Sequence, residues 1–399
     1  MLIARSPVRI SFGGGGTDLA AYYERFGGMV VSASINKYIY GIVTRNFDTT
    51  FQVISADYRS SILQVPVDGR VVNSNLEMRM GQVIYEHFNL RVPVNIFIAS
   101  EVPRGTGLGS SSAVSVTLCN ICSTLAGNAM NKRELAETAY EIETRRLEAP
   151  IGKQDQYAAA FGGLNCFEFS ADGVRVTLLN MRASSVRALE RRLMLFYTGA
   201  TRQARDILSE QRERSGQSTG KTVESLHRIK ELGWQIKAAL EDGRLDDFGA
   251  LLDESWRHKK QLASGISNSA IDEAYAAAIA AGASGGKITG AGGGGFLMLY
   301  CREDRQEAVR AALTRLGLIQ MRFAFEFEGA RILLHTNVLK KAAPLAELSS
   351  RSVSQVHHSF IATGDDECSH PGNVEVRLMR FPIVCRYWRP ACSPVLHRC

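Results

Sequence analysis

The chain has 399 residues, 45% of them hydrophobic and 22% charged, with a formal net charge of +7. That composition belongs to a soluble globular protein long enough for two cores, and no apolar run is long enough to span a bilayer. The positive charge is modest and dispersed; without a basic stripe or interleaved aromatics it does not argue for nucleic acid, and it suits phosphorylated ligands.

Met1 to Arg5 carry no long apolar segment before the glycines at 13–16, so no secretory leader is expected and cytoplasmic residence is the default. Residues 2–12 read as a strand that breaks at Gly13-Gly14-Gly15-Gly16. Thr17 and Asp18 follow, then a short helix over 19–25. Four glycines let a sugar lie close to the backbone. Asp18 fits either an acceptor for sugar hydroxyls or the N-cap of that helix. Arg9 lies between Val8 and Ile10 in the strand. Further β-rich stretches are expected over 29–45 and 51–64, a helix over 75–89 and a strand over 94–100.

The rest of the chain is organised around PRGTGLGSSSAVS (103–115). Gly105, Gly107 and Gly109 run into Ser110, Ser111 and Ser112, and an apolar run follows to Ala126. Strand, glycine loop and helix start in that order make a phosphate cradle, because glycines admit an anion and a helix N-terminus offers free N–H groups. The serine hydroxyls add hydrogen bonds or a Mg²⁺ ligand. The plain alternative is a glycine turn in which serine caps a core helix. Cys119 and Cys122 form a CxxC inside the 111–127 helix, where buried structural thiols are expected rather than a redox pair.

Asn131 and Glu134 have capping-box spacing, opening a helix that runs to about 148 and stops before Pro150. On it Ala136, Tyr140, Glu143 and Leu147 share one stripe, which puts a carboxylate on an apolar face. Glu143 is then an oxygen ligand for a Mg²⁺ nucleotide or a solvated charge near Arg146. Asp155, in GKQDQYAAAFGG (152–163), is a candidate base for a hydroxyl nucleophile.

Short strands are expected near 164–169, 174–179 and 193–197, with a domain boundary near 180–200. From 201 to 262 the pattern is helical, broken at 216–220 and 242–243, and a further helix covers 269–282. Lys287-Ile288-Thr289 leads into GAGGGG (290–295) and a strand over 296–301, then a helix over 304–316 and strands over 321–327 and 331–335. GQSTGKT (216–222) imitates a Walker A loop but has only three residues between its glycines and no strand before it. Gly290, Gly292 and Gly295 satisfy GxGxxG, yet a strand follows them, not a helix, which argues against a dinucleotide fold. The last sixty residues hold Cys368, Cys385, Cys392 and Cys399 and show no sustained period after His357. They read as an appended or out-of-frame segment or as a disordered tail, and carry no assigned function.

Three motifs together resemble the GHMP kinases: SPVRISFGGGGTD (6–18), PRGTGLGSSSA (103–113) and KITGAGGGG (287–295), in that family's order and spacing. GGGGTD with GKQDQYAAAFGG is most similar to the members that phosphorylate a heptose 7-phosphate. The resemblance covers about residues 1–338. It implies an α+β two-domain GHMP kinase fold: a ribosomal protein S5 domain 2-like N-terminal domain (1–190) and a ferredoxin-like C-terminal domain (191–338), followed by the atypical 339–399 tail. It implies ATP and Mg²⁺ as cofactors, with Pro103, Arg104, Gly105, Gly107, Leu108, Gly109, Ser110, Ser111 and Ser112 around the phosphates. Ser111 and Glu143 would hold the metal. Asp155 would take the proton from the sugar hydroxyl, and Arg9 would favour its alkoxide character. Gly14, Gly15, Thr17, Asp18, Lys153, Gly292 and Gly293 would contact a sugar phosphate, with Lys153, Arg202 and Arg104 as candidates for its own phosphate. No membrane or nucleic-acid partner is implied, and a homodimer stays open. Rival readings are a kinase of a non-sugar such as mevalonate or homoserine, and a non-catalytic sensor on the same fold.

Overall fold

The computed structural model describes residues 1–47, 50–55, 61–66, 76–199, 204–215, 220–263 and 265–336. Arg202, residues 216–219 of the Walker-like run and the 339–399 tail lie outside the described residues.

The first sheet is built on β1 (Leu2–Gly13), which is buried throughout from Ser6. β12 (Arg331–His335) pairs along one edge and β2 (Gly28–Arg45) along the other, both antiparallel. β2 is long enough to fork. Its Gly28–Ala33 half pairs with β6 (Leu164–Ser170), which carries β7 (Gly173–Leu178), and its Ile39–Arg45 half pairs with β5 (Val94–Ser100). β3 (Thr50–Ser55) runs parallel to β5 and carries β4 (Ser61–Pro66), so the expected 51–64 stretch is two strands. α3 (Ser110–Leu125), buried along most of its length, covers β1 and β2. α2 (Leu76–His87) and α4 (Lys132–Glu141) flank it. The Asn131–Glu134 capping box is formed in both directions. Cys119 and Cys122 are buried free thiols, and burial pushes both up, Cys122 to about 12.

The second sheet runs β11 (Ile319–Met321), β8 (Leu193–Tyr197), β10 (Phe296–Cys301), β9 (Ala283–Ile288), antiparallel throughout. Numbered along the chain that order is 4-1-3-2, the split βαβ arrangement of a ferredoxin-like domain. Between β8 and β9 lie α7 (Ala204–Ser215), α8 (Lys221–Asp242), α9 (Leu245–Lys259) and α10 (Ser269–Ala280); α11 (Gln306–Arg315) links β10 to β11. Two helices depart from the sequence expectation, α5 (Gln154–Phe161) and α6 (Ala183–Arg192). The strand expected at 321–327 ends at Met321, and Phe325 makes only an isolated bridge to Ile35. β12 returns the chain to the first sheet.

Two features bring the sheets together where it matters. Phe12 at the end of β1 meets Phe248 of α9 edge-on at 5.4 Å, and Phe248 meets Tyr300 of β10 at 5.5 Å. α9 also lies almost on the backbone of β9, because glycines face each other there. A Cβ on Gly285 would come 2.0 Å from the Gly249 carbonyl oxygen. Gly285→Ala should therefore destabilise the chain by about 1–3 kcal/mol through overpacking. Urea unfolding checks this; an unchanged midpoint would mean that the close approach is not required.

Candidate active site

A cavity of about 720 Å³ opens over the junction of the glycine loop, β1 and the 287–295 loop. Its polar wall includes Arg9, Asp18, Glu143 and Asp155; Ile39, Val53, Met80 and Ile98, from neighbouring elements of the first sheet and α2, give it an apolar wall.

Arg9 is the centre of the polar wall. It is buried in β1, and its backbone N–H donates to Leu108 O at 2.9 Å. Its Nη1 donates to Gly107 O at 2.6 Å, its Nε donates to Asp155 Oδ1 at 2.8 Å, and Nη2 lies 2.5 Å from the same oxygen. Asp155 stands in the first turn of α5 with its carboxylate partly exposed to the cavity. One guanidinium thus ties the glycine loop to the candidate base. The second glycine run locks on from the other side. Thr289 Oγ1 donates to Thr106 O at 3.2 Å, as does Phe296 N. Gly107 (φ +77°) has no room for a side chain, since a Cβ would lie 2.3 Å from Thr289 O. Gly109 adopts φ +76° directly before α3, leaving the first N–H groups of that helix at the cavity.

Of the residues expected around phosphates, Arg104, Gly105, Gly107, Gly109, Ser110, Ser111 and Ser112 line the cavity. Pro103 and Leu108 serve the loop through backbone carbonyls that accept from Thr106 Oγ1 and Arg9 N. Among the expected acceptor contacts, Asp18 and Gly15 line the cavity. Asp18 does not cap α1 (Ala20–Phe26), whose N-cap is Leu19. Its carboxylate instead accepts from Gly16 N at 2.9 Å and from Gln154 N and Nε2 at 3.3 and 3.1 Å. Burial, then the neighbouring Asp155, raises its pKa.

Several expected contacts sit elsewhere. Thr17 is fully buried, and its hydroxyl bonds Gly14 O, Met29 O and Met29 N, so it holds the turn rather than facing the cavity. Gly14 packs against Met29, and Gly292 and Gly293 against Ile266. Lys153 Nζ is held by both Glu137 oxygens at 3.2 and 3.0 Å, with the Tyr140 ring beside it.

Glu143 is not a solvated helix charge. α4 gives way at Ile142–Arg146 to a π-helical turn that carries the side chain inward, where it is 3% exposed. Its Oε2 accepts from Ser112 Oγ at 3.2 Å and its Oε1 from Gln156 Nε2 at 3.0 Å. The hydroxyl on Glu143 is therefore that of Ser112, while Ser111 is exposed at the cavity mouth. Burial pushes the Glu143 carboxyl up to about 7.

Sequence reasoning missed Lys259 and Lys287, which are buried yet line the cavity. A signal for Lys259 was there. It falls seven residues after Leu252 and three after Trp256, on the buried stripe of α9, whereas the adjacent Lys260 pairs with Asp272 at the surface.

Comparison with known proteins agrees with this geometry. Residues 75–163 match the family model for the GHMP kinases N terminal domain, and 236–317 that for the GHMP kinases C terminal. The chain is 30% identical over 334 residues to D-glycero-alpha-D-manno-heptose 7-phosphate kinase of Campylobacter jejuni, covering 82% of this chain and 97% of that protein. It is 28% identical to L-fucokinase/L-fucose-1-P guanylyltransferase of Bacteroides fragilis, covering 77% of this chain but 35% of that larger protein. Among solved structures, a D-glycero-D-manno-heptose 1-phosphate kinase from Bacteroides thetaiotaomicron superimposes with a TM-score of 0.69 at 28% identity, over 84% of this chain and 100% of that one.

The raised Glu143 carboxyl has a consequence for stability. Between the unfolded value of 4.5 and about 7, the folded chain keeps a proton there that the unfolded chain has released. This residue's contribution therefore falls as pH rises through that window. Glu143→Gln removes the dependence. In a chelating buffer the variant should gain about 1–3 kcal/mol on wild type between about pH 5 and about pH 8. A parallel pair of stability–pH curves would contradict it.

Proposed function

The chain belongs to the GHMP kinase family, and we propose that it moves the γ-phosphoryl group of ATP onto the anomeric hydroxyl of D-glycero-α-D-manno-heptose 7-phosphate, giving the 1,7-bisphosphate. The observation that carries this reading is the Arg9–Asp155 pair fixed against Gly107.

Residues 103–112 and the start of α3 would cradle the nucleotide phosphates, and the apolar wall at Ile39, Val53 and Ile98 suits a heteroaromatic base. Asp18, held by Gly16 and Gln154, would accept from sugar hydroxyls. Asp155 would take the proton from the anomeric O–H as that oxygen bonds the γ-phosphorus, and the bond to the bridging oxygen breaks with its electron pair leaving on ADP. Arg9 keeps Asp155 in place and sets positive charge beside the developing alkoxide. The protein's contribution is then chiefly position and charge.

The residues fit a magnesium ion. Glu143 with the hydroxyl of Ser111 or Ser112 offers hard oxygen donors at the cradle, and no cluster of three metal-ligating side chains occurs among the described residues, so phosphates would supply other ligands. When bound, Mg²⁺ supplies neutralisation of phosphate charge. The same reading divides the chain into an N-terminal domain (1–190) and a C-terminal domain (191–338), with β12 crossing back.

The acceptor is tested by ADP release with Mg·ATP against heptose 7-phosphate, unphosphorylated heptose, L-fucose and mevalonate. Turnover should favour heptose 7-phosphate, and Asp155→Asn should lower kcat about 10²- to 10⁴-fold with little change in ATP affinity. Turnover confined to fucose or mevalonate would keep the family and overturn the acceptor.

A further inference from the structure

Neither Lys259 nor Lys287 has a part in the chemistry above, yet both line the cavity, Lys259 at the end of α9 and Lys287 in β9. Lys259 Nζ donates to Ile288 O at 3.3 Å and to Gly290 O; Lys287 Nζ donates to Phe12 O at 3.2 Å. An ammonium has three donors, so each retains capacity for another acceptor. Ser11, next along β1 to the Phe12 whose carbonyl Lys287 bonds, lines the same cavity, and its Oγ is buried with no hydrogen-bond partner among the described residues.

The charges do not balance locally. Arg9, Arg104, Lys259 and Lys287 line the cavity against Asp18, Glu143 and Asp155, and Asp155 is already engaged by Arg9. Burial, then Arg9, pushes Lys259 down to about 7, and burial, Lys259 and Arg9 push Lys287 well below its ordinary value. A bound anion would favour the protonated, three-donor form of each lysine, while a neutral polyol would not.

We propose that Lys259, Lys287 and Ser11 form a second anion subsite, which grips the phosphate the acceptor already carries; this rests on the reading of the acceptor as a sugar phosphate. The nucleotide phosphates have their own cradle at Gly105–Ser112. Ser11 and Phe12 instead belong to the strand end that leads into Gly15, Gly16 and Asp18, the wall assigned to the sugar. A phosphomonoester presents three terminal oxygens to two ammonium groups and a hydroxyl. The subsite replaces Lys153, which Glu137 holds.

The test is direct binding by calorimetry of heptose 7-phosphate, unphosphorylated heptose and ATP, each alone, to wild type, Lys259→Met and Ser11→Ala. Lys259→Met should weaken heptose 7-phosphate about 10- to 100-fold and Ser11→Ala about 3- to 10-fold, with heptose and ATP changed by less than about threefold. Equal weakening of ATP would assign these groups to the nucleotide and overturn the proposal. So would wild-type affinity for heptose 7-phosphate in Ser11→Ala together with either wild-type affinity or loss of all binding in Lys259→Met. Wild-type binding of heptose 7-phosphate that depends on Lys259 and Ser11, without turnover, would uphold the subsite and sink the kinase reading alone. No wild-type binding of heptose 7-phosphate would sink both.

Discussion

Everything at this site hangs on where one guanidinium is held. Arg9 bonds the glycine loop through Gly107 O and the α5 carboxylate through Asp155, and its own backbone is fixed to Leu108. The loop, the first strand and the candidate base therefore cannot shift independently. A partly buried pair of this kind is costly unless its geometry is good, and Arg9 meets that condition with hydrogen bonds from Nε and Nη1 and an ion-pair contact from Nη2. Thr106 and Thr289 extend the same rigidity to the other half of the chain, where the two glycine runs interlock backbone to backbone.

Glycine is what makes that interlocking possible, and in this chain it serves packing as much as ligand approach. At Gly107 contact with Thr289 leaves no room for a Cβ, and at Gly285 and Gly249 the helix–strand approach leaves none either. Those contacts place the ends of α9 and β9, and with them two lysines, in the wall of the cavity that the phosphate cradle also lines. That placement sets the buried lysines against backbone carbonyls, with no carboxylate partner at hydrogen-bond distance among the described residues.

Much of this was legible beforehand, because the motifs act through local backbone chemistry: strand, positive-φ glycines, helix start. The order of most elements and the capping box at Asn131 follow from pattern, and the ferredoxin-like second sheet from the family resemblance. What escaped depended on tertiary contact. α5 reads as a motif loop because Pro150, Gly152 and Gly162 crowd a run of only eight residues. β9, ASGGKI, has poor strand propensity, and its two glycines are required by α9 and β10 rather than by the strand itself. Glu143 falls on the expected inward face, but the π-helical turn that delivers it to Ser112 leaves no local signature. Thr17 has a ligand-like position in the sequence and a structural role in space, since its hydroxyl is consumed by Gly14 and Met29. Lys259 and Lys260 are indistinguishable by type and separated only by the face of the helix.

Phosphoryl transfer as proposed depends on the Arg9–Asp155 pair activating an anomeric hydroxyl. Phosphorus NMR of the product formed from ATP and heptose 7-phosphate tests it most directly, because it reports which carbon receives the phosphate. One new phosphomonoester signal coupled to the anomeric proton is expected, absent with Asp155→Asn. A new signal coupled to any other ring or chain proton, or ADP with inorganic phosphate and no sugar product, would contradict it.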